Sequence, residues 1–324
     1  MKIKRNIKLG LAKAKTFSWY IHTRDIITNE NMRTVLTLFA LPFGLIANLI
    51  NSDEEIKRYK YKLSVALIVK NEGRYIREWI EYYKILGFDR FYIFDNDSTD
   101  NTKEKISKYI DQGLVDYNRI PGKARQMDAY NEALKKSKKE SKYLAIVDAD
   151  EYIFMLQPHR KLVDEIDEIF NKNNSIGGVG LNWMIFGSSH FKTMPQGLVT
   201  QSYLYRSNYN FGVNKHIKTI CNPRAVVGIL NPHYVEYKKN YWAVDALGNR
   251  IDGPMAKNSP NMKLRINHYF TKSKEEFLQK RARGMADQEK IRDMSDFKLH
   301  DRNDVYDDGM LRYKDELNKK LGRN

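Results

Sequence analysis

The chain has 324 residues, with 56 Lys and Arg against 40 Asp and Glu and a formal charge of +16. Its 42% hydrophobic and 12% aromatic content supplies a core and excludes global disorder. A single cysteine, Cys221, excludes an intramolecular disulfide framework and a cysteine-rich zinc module. The positive charge indicates an anionic partner, and composition leaves open nucleic acid, a phospholipid surface or phosphorylated metabolites.

Residues 1–60 are interpreted as a basic and apolar helical extension. The first 15 carry six basic residues and no acid, but no apolar signal-peptide stretch follows, so secretion is not expected. Residues 35–50 are uncharged but shorter than the roughly 20 residues of a spanning helix, and Pro42 interrupts them. We slightly favour a buried helix pair over a peripheral anchor on an anionic membrane. Both interpretations predict a cytoplasmic protein, the second one on the inner face of the cell membrane.

From residue 63 onward, short β-branched runs alternate with segments of helical periodicity. Repeated β-α-β units predict parallel strands whose carboxyl ends meet at a ligand site. The predicted fold class is therefore α/β, a mostly parallel central sheet flanked by helices over residues 61–300, with a helical tail over 301–324. The predicted strands are 63–69, 90–95, 115–118 and 143–154, and the later predicted helices are 162–170, 273–285 and 308–321.

Two carboxylates, Asp148 and Asp150, follow an apolar run in the sequence AIVDADEYIF. In a strand they would point to the same face, so both could bind one hard cation. A solvated turn is the plainer interpretation of such a pair. We favour a site, because an unpaired carboxylate at the end of a buried strand would be costly.

The chain resembles the nucleotide-sugar domain of glycosyltransferases with the GT-A fold, most closely family 92 and bacterial relatives in the family 2 superfamily. The resemblance covers residues 62–308 and not the first 60. It rests on the segments LIVKNEGRYIREWIEYYKILGFDRFYIFDNDSTDNT, RQMDAYNEAL, AIVDADEYIF, NWMIFGSSH, KHIKTICNPRAVV and INHYFTKSKEEFLQKRARG.

The resemblance implies a nucleotide-sugar site at the carboxyl ends of the strands. An acid facing a base N–H or a ribose hydroxyl makes a charge-assisted hydrogen bond, which suits aspartate there. Asp148 is expected near the ribose or a bridging water. The implied nucleotide-sugar-binding residues are Lys70, Asn71, Glu72, Asp95, Asp97, Arg125, Gln126, Asp148 and Lys218.

The resemblance also implies a divalent cation, Mn²⁺ or Mg²⁺, which neutralises the departing diphosphate. Its predicted ligands are Asp148, Asp150 and His268, with His233 as the second candidate for a histidine. The basic residues Lys218, Lys272, Lys280 and Arg283 are candidates to hold the diphosphate. A solvated helix face is a stronger alternative for Lys280 than for Lys218.

The implied reaction is an inverting hexosyl transfer from a nucleotide sugar, a UDP-sugar, to a hydroxyl of a glycan or lipid-linked acceptor. Surface polysaccharide synthesis is the expected context. The base must be a carboxylate within reach of the acceptor hydroxyl. The candidates are Glu236, Asp245 and Glu151, although Asp245 before Gly248 also suits a turn.

Two alternatives remain open from the residues alone. A sugar nucleotidyltransferase uses a similar sheet and metal carboxylates, but it normally has a Gly-rich basic loop where this chain has KNEGRY. A basic nucleic-acid-binding protein would suit the charge. The sequence has no helix-turn-helix, zinc-finger or RNP pattern, however, and we expect no nucleic-acid partner.

Overall fold

A computed structural model describes residues 2–27, 29–50, 58–157, 160–258, 263–284 and 292–323. The α-helices are α1 (Lys2–Ala14), α2 (Ser18–Ile26), α3 (Glu30–Ile50), α4 (Ile76–Ile85), α5 (Thr102–Asp111), α6 (Gln126–Glu140), α7 (Leu162–Phe170), α8 (Val199–Ser202), α9 (Lys274–Ala282), α10 (Met294–His300) and α11 (Lys314–Leu321). Short 3₁₀ helices cover Gly212–Lys215, Pro223–Ala225 and Gly309–Tyr313.

The strands are β1 (Tyr61–Val69), β2 (Arg90–Asp95), β3 (Val115–Arg119), β4 (Ser141–Ile146), β5 (Glu151–Met155), β6 (Ile176–Ile185), β7 (Tyr205–Arg206), β8 (Ile217–Cys221), β9 (Val226–Ile229), β10 (Val235–Tyr237), β11 (Trp242–Asp245), β12 (Arg250–Ile251), β13 (Leu264–His268) and β14 (Val305–Tyr306). Ten of them form one sheet with a path β12-β11-β6-β8-β4-β1-β2-β3, and β13 joins β6 to β5.

The sheet is mostly parallel, which confirms the predicted fold class. β1 pairs in parallel with β2 and β4, β2 with β3, and β6 with β11 and β13. β8 lies antiparallel between β4 and β6. Helices cover both faces, so β1 is buried from Leu63 to Val69. This two-sided burial explains why the strand is a continuous apolar run rather than an alternating one.

The acidic segment differs from its prediction. Residues 143–154 form two strands, β4 and β5, separated by a turn in which the Glu151 N–H donates to the Asp148 carbonyl at 3.1 Å. The chain turns because β4 pairs with β1 whereas β5 pairs antiparallel with β13. Asp148 and Asp150 therefore lie in a turn, and the argument that a strand places them on one face was wrong.

The N-terminal extension also differs from its prediction. Residues 30–50 form one helix that continues through Pro42, and most of its apolar side chains are exposed rather than buried. The favoured buried helix pair is therefore wrong. In the described part of the chain, α3 alone is long and apolar enough to cross a membrane, judged by length and composition only.

Close backbone contacts fix α1 between α3 and the main domain. A Cβ added at Gly44 would lie 2.1 Å from the Gly10 carbonyl oxygen, so α1 and α3 touch through their glycines. A Cβ at Gly228 of β9 would lie 2.2 Å from the Ala12 carbonyl oxygen. The extension is thus packed tightly against the domain.

The C-terminal residues pack on the main core. Asp307 accepts hydrogen bonds from Arg206 Nε at 2.6 Å and Arg265 Nη2 at 2.7 Å. Leu317 of α11 is fully buried in the same hydrophobic cluster as β1 and α4. The division of the chain at residues 60 and 300 stays a prediction.

Candidate functional site

Asp148 lies in the β4–β5 turn and is held by three donors. Gln126 Nε2 at 2.9 Å and the Tyr130 hydroxyl at 2.8 Å donate to Oδ1. Lys218 Nζ, from β8, donates to Oδ2 at 2.8 Å. Burial raises the pKa of Asp148, but the charge of Lys218 and the hydrogen bonds from Lys218 and Tyr130 together hold the pKa below its usual value. The side chain is a fixed carboxylate with both oxygens engaged.

Asp150, two residues after Asp148, pairs with a different lysine, Lys280. Lys280 Nζ of α9 donates to Asp150 Oδ2 at 2.5 Å and to the Phe270 carbonyl at 2.9 Å. Burial opposes ionisation of Asp150, but Lys280 and His268 outweigh it and hold its pKa well below the usual value. Burial lowers the pKa of Lys280 to about 8, with Asp150 opposing the shift.

Glu151 is fully buried behind the two aspartates. Trp183 Nε1 donates to its Oε1 at 2.7 Å, and the Asp148 backbone N–H donates to its Oε2 at 2.7 Å. Burial raises the pKa of Glu151 to about 8, although Lys218, at 3.4 Å, opposes the shift. Glu151 therefore orients the turn from within.

His268 ends β13, where it pairs with Glu151. Its Nε2 lies 3.5 Å from Asp150 Oδ1, and its Nδ1 lies 4.0 Å from Glu151 Oε1. Nδ1 is buried and makes no hydrogen bond. Burial lowers the pKa of His268, against the opposing effect of Asp150. A neutral imidazole is thus available as a ligand.

Two of the three predicted metal ligands, Asp150 and His268, lie close enough together to bind one ion. Among the described residues, no group of three or more His, Cys, Asp or Glu side chains is arranged to hold an ion alone. Asp150 and His268 are 3.5 Å apart, close to the roughly 3 Å between neighbouring ligands of one octahedral ion. Since Mg²⁺ and Mn²⁺ take further ligands from phosphate and water, this pair fits. Asp148, whose oxygens are already engaged, is not brought into the pair.

A cavity of 210 Å³ adjoins Lys280 and lies between α9 and the loop after β1. Arg283 crosses this gap, donating to the Lys70 carbonyl at 2.8 Å and pairing with Glu72 at 2.5 Å. The cavity is lined by Asn71, Tyr75, Phe270, Thr271, Lys272, Glu276, Gln279, Lys280 and Arg283. Three of the four basic residues predicted to hold a diphosphate therefore share one cavity, whereas Lys218 binds Asp148.

The predicted nucleoside-binding loops lie at the same edge of the sheet. Val69 and Asp95 are register partners, so the residues that follow β1 and β2 are adjacent. Asp95 accepts hydrogen bonds from the Ser98 N–H at 2.7 Å and the Tyr117 hydroxyl at 3.0 Å. Asn71 Oδ1 accepts from the Thr99 N–H at 2.7 Å. These contacts brace the loops.

Asp97 also braces this edge, because its carboxylate accepts from the Gly122 N–H at 2.9 Å. Glu72 is buried, and its Oε2 makes no hydrogen bond. Lys70 is partly exposed in the same loop. The nucleoside-binding roles of the residues after β1 and β2 stay predictions.

Arg125 is not available to a nucleotide. Its side chain is fully buried, and its guanidinium donates to Asp128 at 2.6 Å and to Asp25 at 2.7 Å. It also donates to the Ile21 carbonyl of α2 at 2.9 Å. The guanidinium therefore joins α6 to the N-terminal extension, and its predicted contact with the nucleotide sugar is not supported.

None of the three predicted bases lines the cavity beside Lys280. Glu236 pairs with Lys8 of α1 at 2.8 Å. Asp245 accepts from the Leu247 and Asn249 N–H groups, both at 2.9 Å, within its own turn. Glu151 reaches the acidic cluster but is fully buried. The structure does not support Glu236 or Asp245 as the base.

Sequence reasoning missed two contacts that hold the acids. It gave Tyr130 no role in the site, yet the Tyr130 hydroxyl binds Asp148. Its position four residues after Gln126 places both on one face of α6, and this spacing was the available signal. The second contact is that of Trp183, whose indole N–H binds Glu151. No local signal in the sequence indicates that second contact.

His233, the second candidate for a metal-binding histidine, packs against Trp183 with ring centroids 4.9 Å apart, and its Nδ1 lies 3.1 Å from the Ile217 carbonyl. Burial, followed by Lys218, lowers the pKa of His233 to about 3. The unfolded chain, with a histidine pKa of about 6.5, binds a proton below that pH that the folded chain does not bind. This contribution to stability is complete above pH 6.5 and is lost progressively toward pH 3.

We therefore expect His233→Gln to weaken the acid sensitivity of the fold. Between pH 7 and pH 5, the free energy of unfolding of the wild type should fall by about 2 kcal/mol more than that of the variant. Urea unfolding at the two pH values measures this difference. Equal losses in both proteins would contradict a neutral buried His233.

Comparison with known proteins gives one family. The sequence model of glycosyltransferase family 92 matches residues 63–304. A glycosyltransferase family 92 protein of Ricinus communis is 24% identical over 227 residues, covering 70% of this chain and 38% of the relative. One of Oryza sativa subsp. japonica is 23% identical over 215 residues, covering 66% and 34%. The chain thus spans less than two fifths of the length of either relative.

Solved structures are similar over smaller parts of the chain. Residues 1–349 of S. aureus TarS in complex with UDP-GlcNAc are 18% identical, with a TM-score of 0.34 over 51% of this chain and 46% of that one. Glucosyl-3-phosphoglycerate synthase from Mycobacterium tuberculosis, in complex with Mn²⁺, UDP and glucosyl-3-phosphoglycerate, is 16% identical, with a TM-score of 0.26 over 38% and 44%.

Proposed function

The chain belongs to glycosyltransferase family 92, and on this premise we propose that it is a metal-dependent glycosyltransferase. It moves a sugar from a nucleotide sugar, a UDP-sugar, to a hydroxyl of a glycan or lipid-linked acceptor. The observation that carries the proposal is the β4–β5 turn, in which Asp148 and Asp150 each bind a separate lysine. Because the chain belongs to this family, we no longer favour the alternative of a sugar nucleotidyltransferase.

The charge around the cavity supports an anionic donor. Lys272, Lys280 and Arg283 line it with a single acid, Glu276, among the described lining residues, and Asp150 binds Lys280 beside it. Basic side chains that converge on one cavity raise the local concentration of a diphosphate and bind its oxygens. The cavity is therefore assigned to the diphosphate end of the donor.

Asp150 and His268 would hold the metal ion, while Glu151 orients the turn through the Asp148 N–H. When bound, the ion supplies Lewis-acid stabilisation of the negative charge on the departing nucleoside diphosphate. Lys218 keeps Asp148 ionised and fixed, and Gln126 with Tyr130 sets its orientation. A fixed carboxylate is suited to accept hydrogen bonds from ribose hydroxyls.

The transfer is proposed to invert the anomeric centre, the acceptor hydroxyl attacking the face opposite the leaving diphosphate. The basic cavity holds the leaving group on one side, which leaves the other side of the sugar for the acceptor. Stabilisation of charge that develops on the leaving group is the largest contribution expected from these residues.

A panel of nucleotide sugars tests the function. Donor hydrolysis and transfer to simple sugar acceptors are measured with Mn²⁺, with Mg²⁺ and with a chelator, and the anomeric configuration of the product is read by NMR. We expect turnover of one or more UDP-sugars that the chelator abolishes. Absence of binding and turnover with every donor would reject the proposal, and turnover that survives chelation would reject the metal.

We also propose a peripheral location on the cytoplasmic side of a membrane, and the exposed face of α3 supports contact with a membrane surface. Twelve of the eighteen large hydrophobic side chains that are exposed in the described residues lie in α1, α2 and α3. Val35, Leu38, Phe39, Phe43 and Ile46 are spaced as one helix face, which we call the α3 stripe, and each is at least half exposed. A stripe of this kind beside basic side chains is typical of helices that lie in an anionic membrane interface.

Charge on α1 complements such a surface, since Lys4, Arg5 and Lys8 are exposed. Because α1 packs against both α3 and β9, it ties α3 to the main domain. This packing favours α3 lying along the membrane interface over α3 spanning the membrane. An acceptor carried on a lipid would then be presented to an enzyme held at the same surface.

We expect Phe39→Gln combined with Phe43→Gln to lower binding to phosphatidylglycerol-containing vesicles by about tenfold or more, because two apolar side chains leave the interface. Co-sedimentation measures the binding, and Phe191→Gln, at a 39% exposed phenylalanine outside α3, is the matched control. Binding by the wild type should weaken in 0.5 M salt or with neutral lipid. Wild-type protein that stays in the supernatant, or a double variant that binds normally, would reject the membrane location.

A further inference from the structure

Lys280 occupies the position of a cation beside Asp150. Its Nζ lies 2.5 Å from Asp150 Oδ2, and the other oxygen of the same carboxylate faces His268 Nε2 at 3.5 Å. Both side chains of the Lys280–Asp150 pair are only 14% exposed. The ammonium thus neutralises a largely buried carboxylate, and a buried charge without a directly bound partner is a costly state.

A divalent ion on Asp150 and His268 would lie next to this ammonium. Two cations a few ångströms apart repel strongly where water is largely excluded. They therefore compete for one carboxylate, and occupation of Asp150 by the ion requires Lys280 to leave it.

The cavity beside Lys280 provides a second position for its ammonium group. Its flexible side chain begins on α9 and borders the 210 Å³ cavity, whose lining includes Lys272 and Arg283. An anionic diphosphate in that cavity would provide the replacement partner for the displaced ammonium.

We propose that Lys280 is an exchangeable counter-ion: it neutralises Asp150 in the donor-free protein and transfers to the diphosphate when the metal and the donor bind together. This inference rests on the proposed function. Its consequence is that the free protein binds the metal weakly and binds metal with nucleotide well, so the site assembles only when the donor arrives.

Titration of Mn²⁺ by EPR, without nucleotide, tests the exchange without measuring activity. We expect Lys280→Gln to bind Mn²⁺ at least about tenfold more tightly than the wild type, because the competing charge is gone. Lys280→Arg should behave as the wild type. Lys274→Gln is the matched control, since it removes one charge from an exposed position on the same helix.

With UDP and saturating Mn²⁺ the order should reverse, and Lys280→Gln should bind UDP at least about tenfold more weakly. Thermal unfolding gives a second readout if the variant is unstable, because Mn²⁺ should raise its melting temperature more than that of the wild type. Mn²⁺ affinity in Lys280→Gln that is equal to or weaker than that of the wild type would overturn the exchange. Absence of Mn²⁺ binding in all proteins would also overturn it, whereas the donor panel decides the transferase function separately.

Discussion

Asp150→Asn is expected to lower sugar transfer by about 10³-fold, because the amide keeps the shape of the side chain but removes the charge that binds the cation. The Asp150 carboxylate lies 2.5 Å from Lys280 and faces His268, the other residue that would hold the cation, at 3.5 Å. The Asp148 carboxylate is already paired with Lys218, so it is not expected to take the place of Asp150. The loss should appear in kcat with every donor that the wild type accepts.

Initial rates over a range of Mn²⁺ concentrations measure this effect, and circular dichroism confirms that the variant is folded. The matched control is Asp252→Asn, at a carboxylate whose side chain is 69% exposed and pairs with Arg250 outside the acidic cluster. The control should retain wild-type rates. Activity of Asp150→Asn within tenfold of the wild type would show that the cation is not held there.

The second large effect is expected for Asp128→Ala, which should lower the free energy of unfolding by about 3–5 kcal/mol. Asp128 is fully buried between Arg24 of α2, at 2.7 Å, and Arg125 at 2.6 Å. Truncation leaves two guanidinium groups buried without their shared carboxylate. Arg125 retains Asp25, but Arg24 loses its ion pair.

The variant should also affect the site. Arg125 immediately precedes Gln126, which binds Asp148, so loosening the start of α6 is expected to weaken donor binding as well as stability. Urea unfolding measures the first effect and calorimetry with UDP the second. Asp252→Ala, which removes an exposed ion pair, should change the free energy of unfolding by no more than about 0.5 kcal/mol. Equal stability of both variants would contradict a structural role for the buried pair.

Local patterns in the sequence predicted much of the catalytic domain. The apolar runs at 63–69, 90–95 and 115–118 are strands in the structure, and the polar residues after the first two lie at one edge of the sheet. The burial patterns of strands, with a period of two residues, and of helices, with a period of 3.6 residues, involve residues that are close together in the chain. A single sequence therefore contains these patterns. The same reasoning failed at 143–154, because the break between β4 and β5 depends on strands elsewhere in the chain.

The sequence by itself determined the family, the α/β class and the acids Asp148 and Asp150, because these depend on contiguous motifs. The tertiary structure alone decided which cation each acid binds, since Lys218 is 70 residues from Asp148 and Lys280 is 130 residues from Asp150. It also assigned Arg125 to the junction with α2 and left the α3 stripe exposed. Partners so distant are set by how the sheet and helices pack, and no local periodicity carries that information.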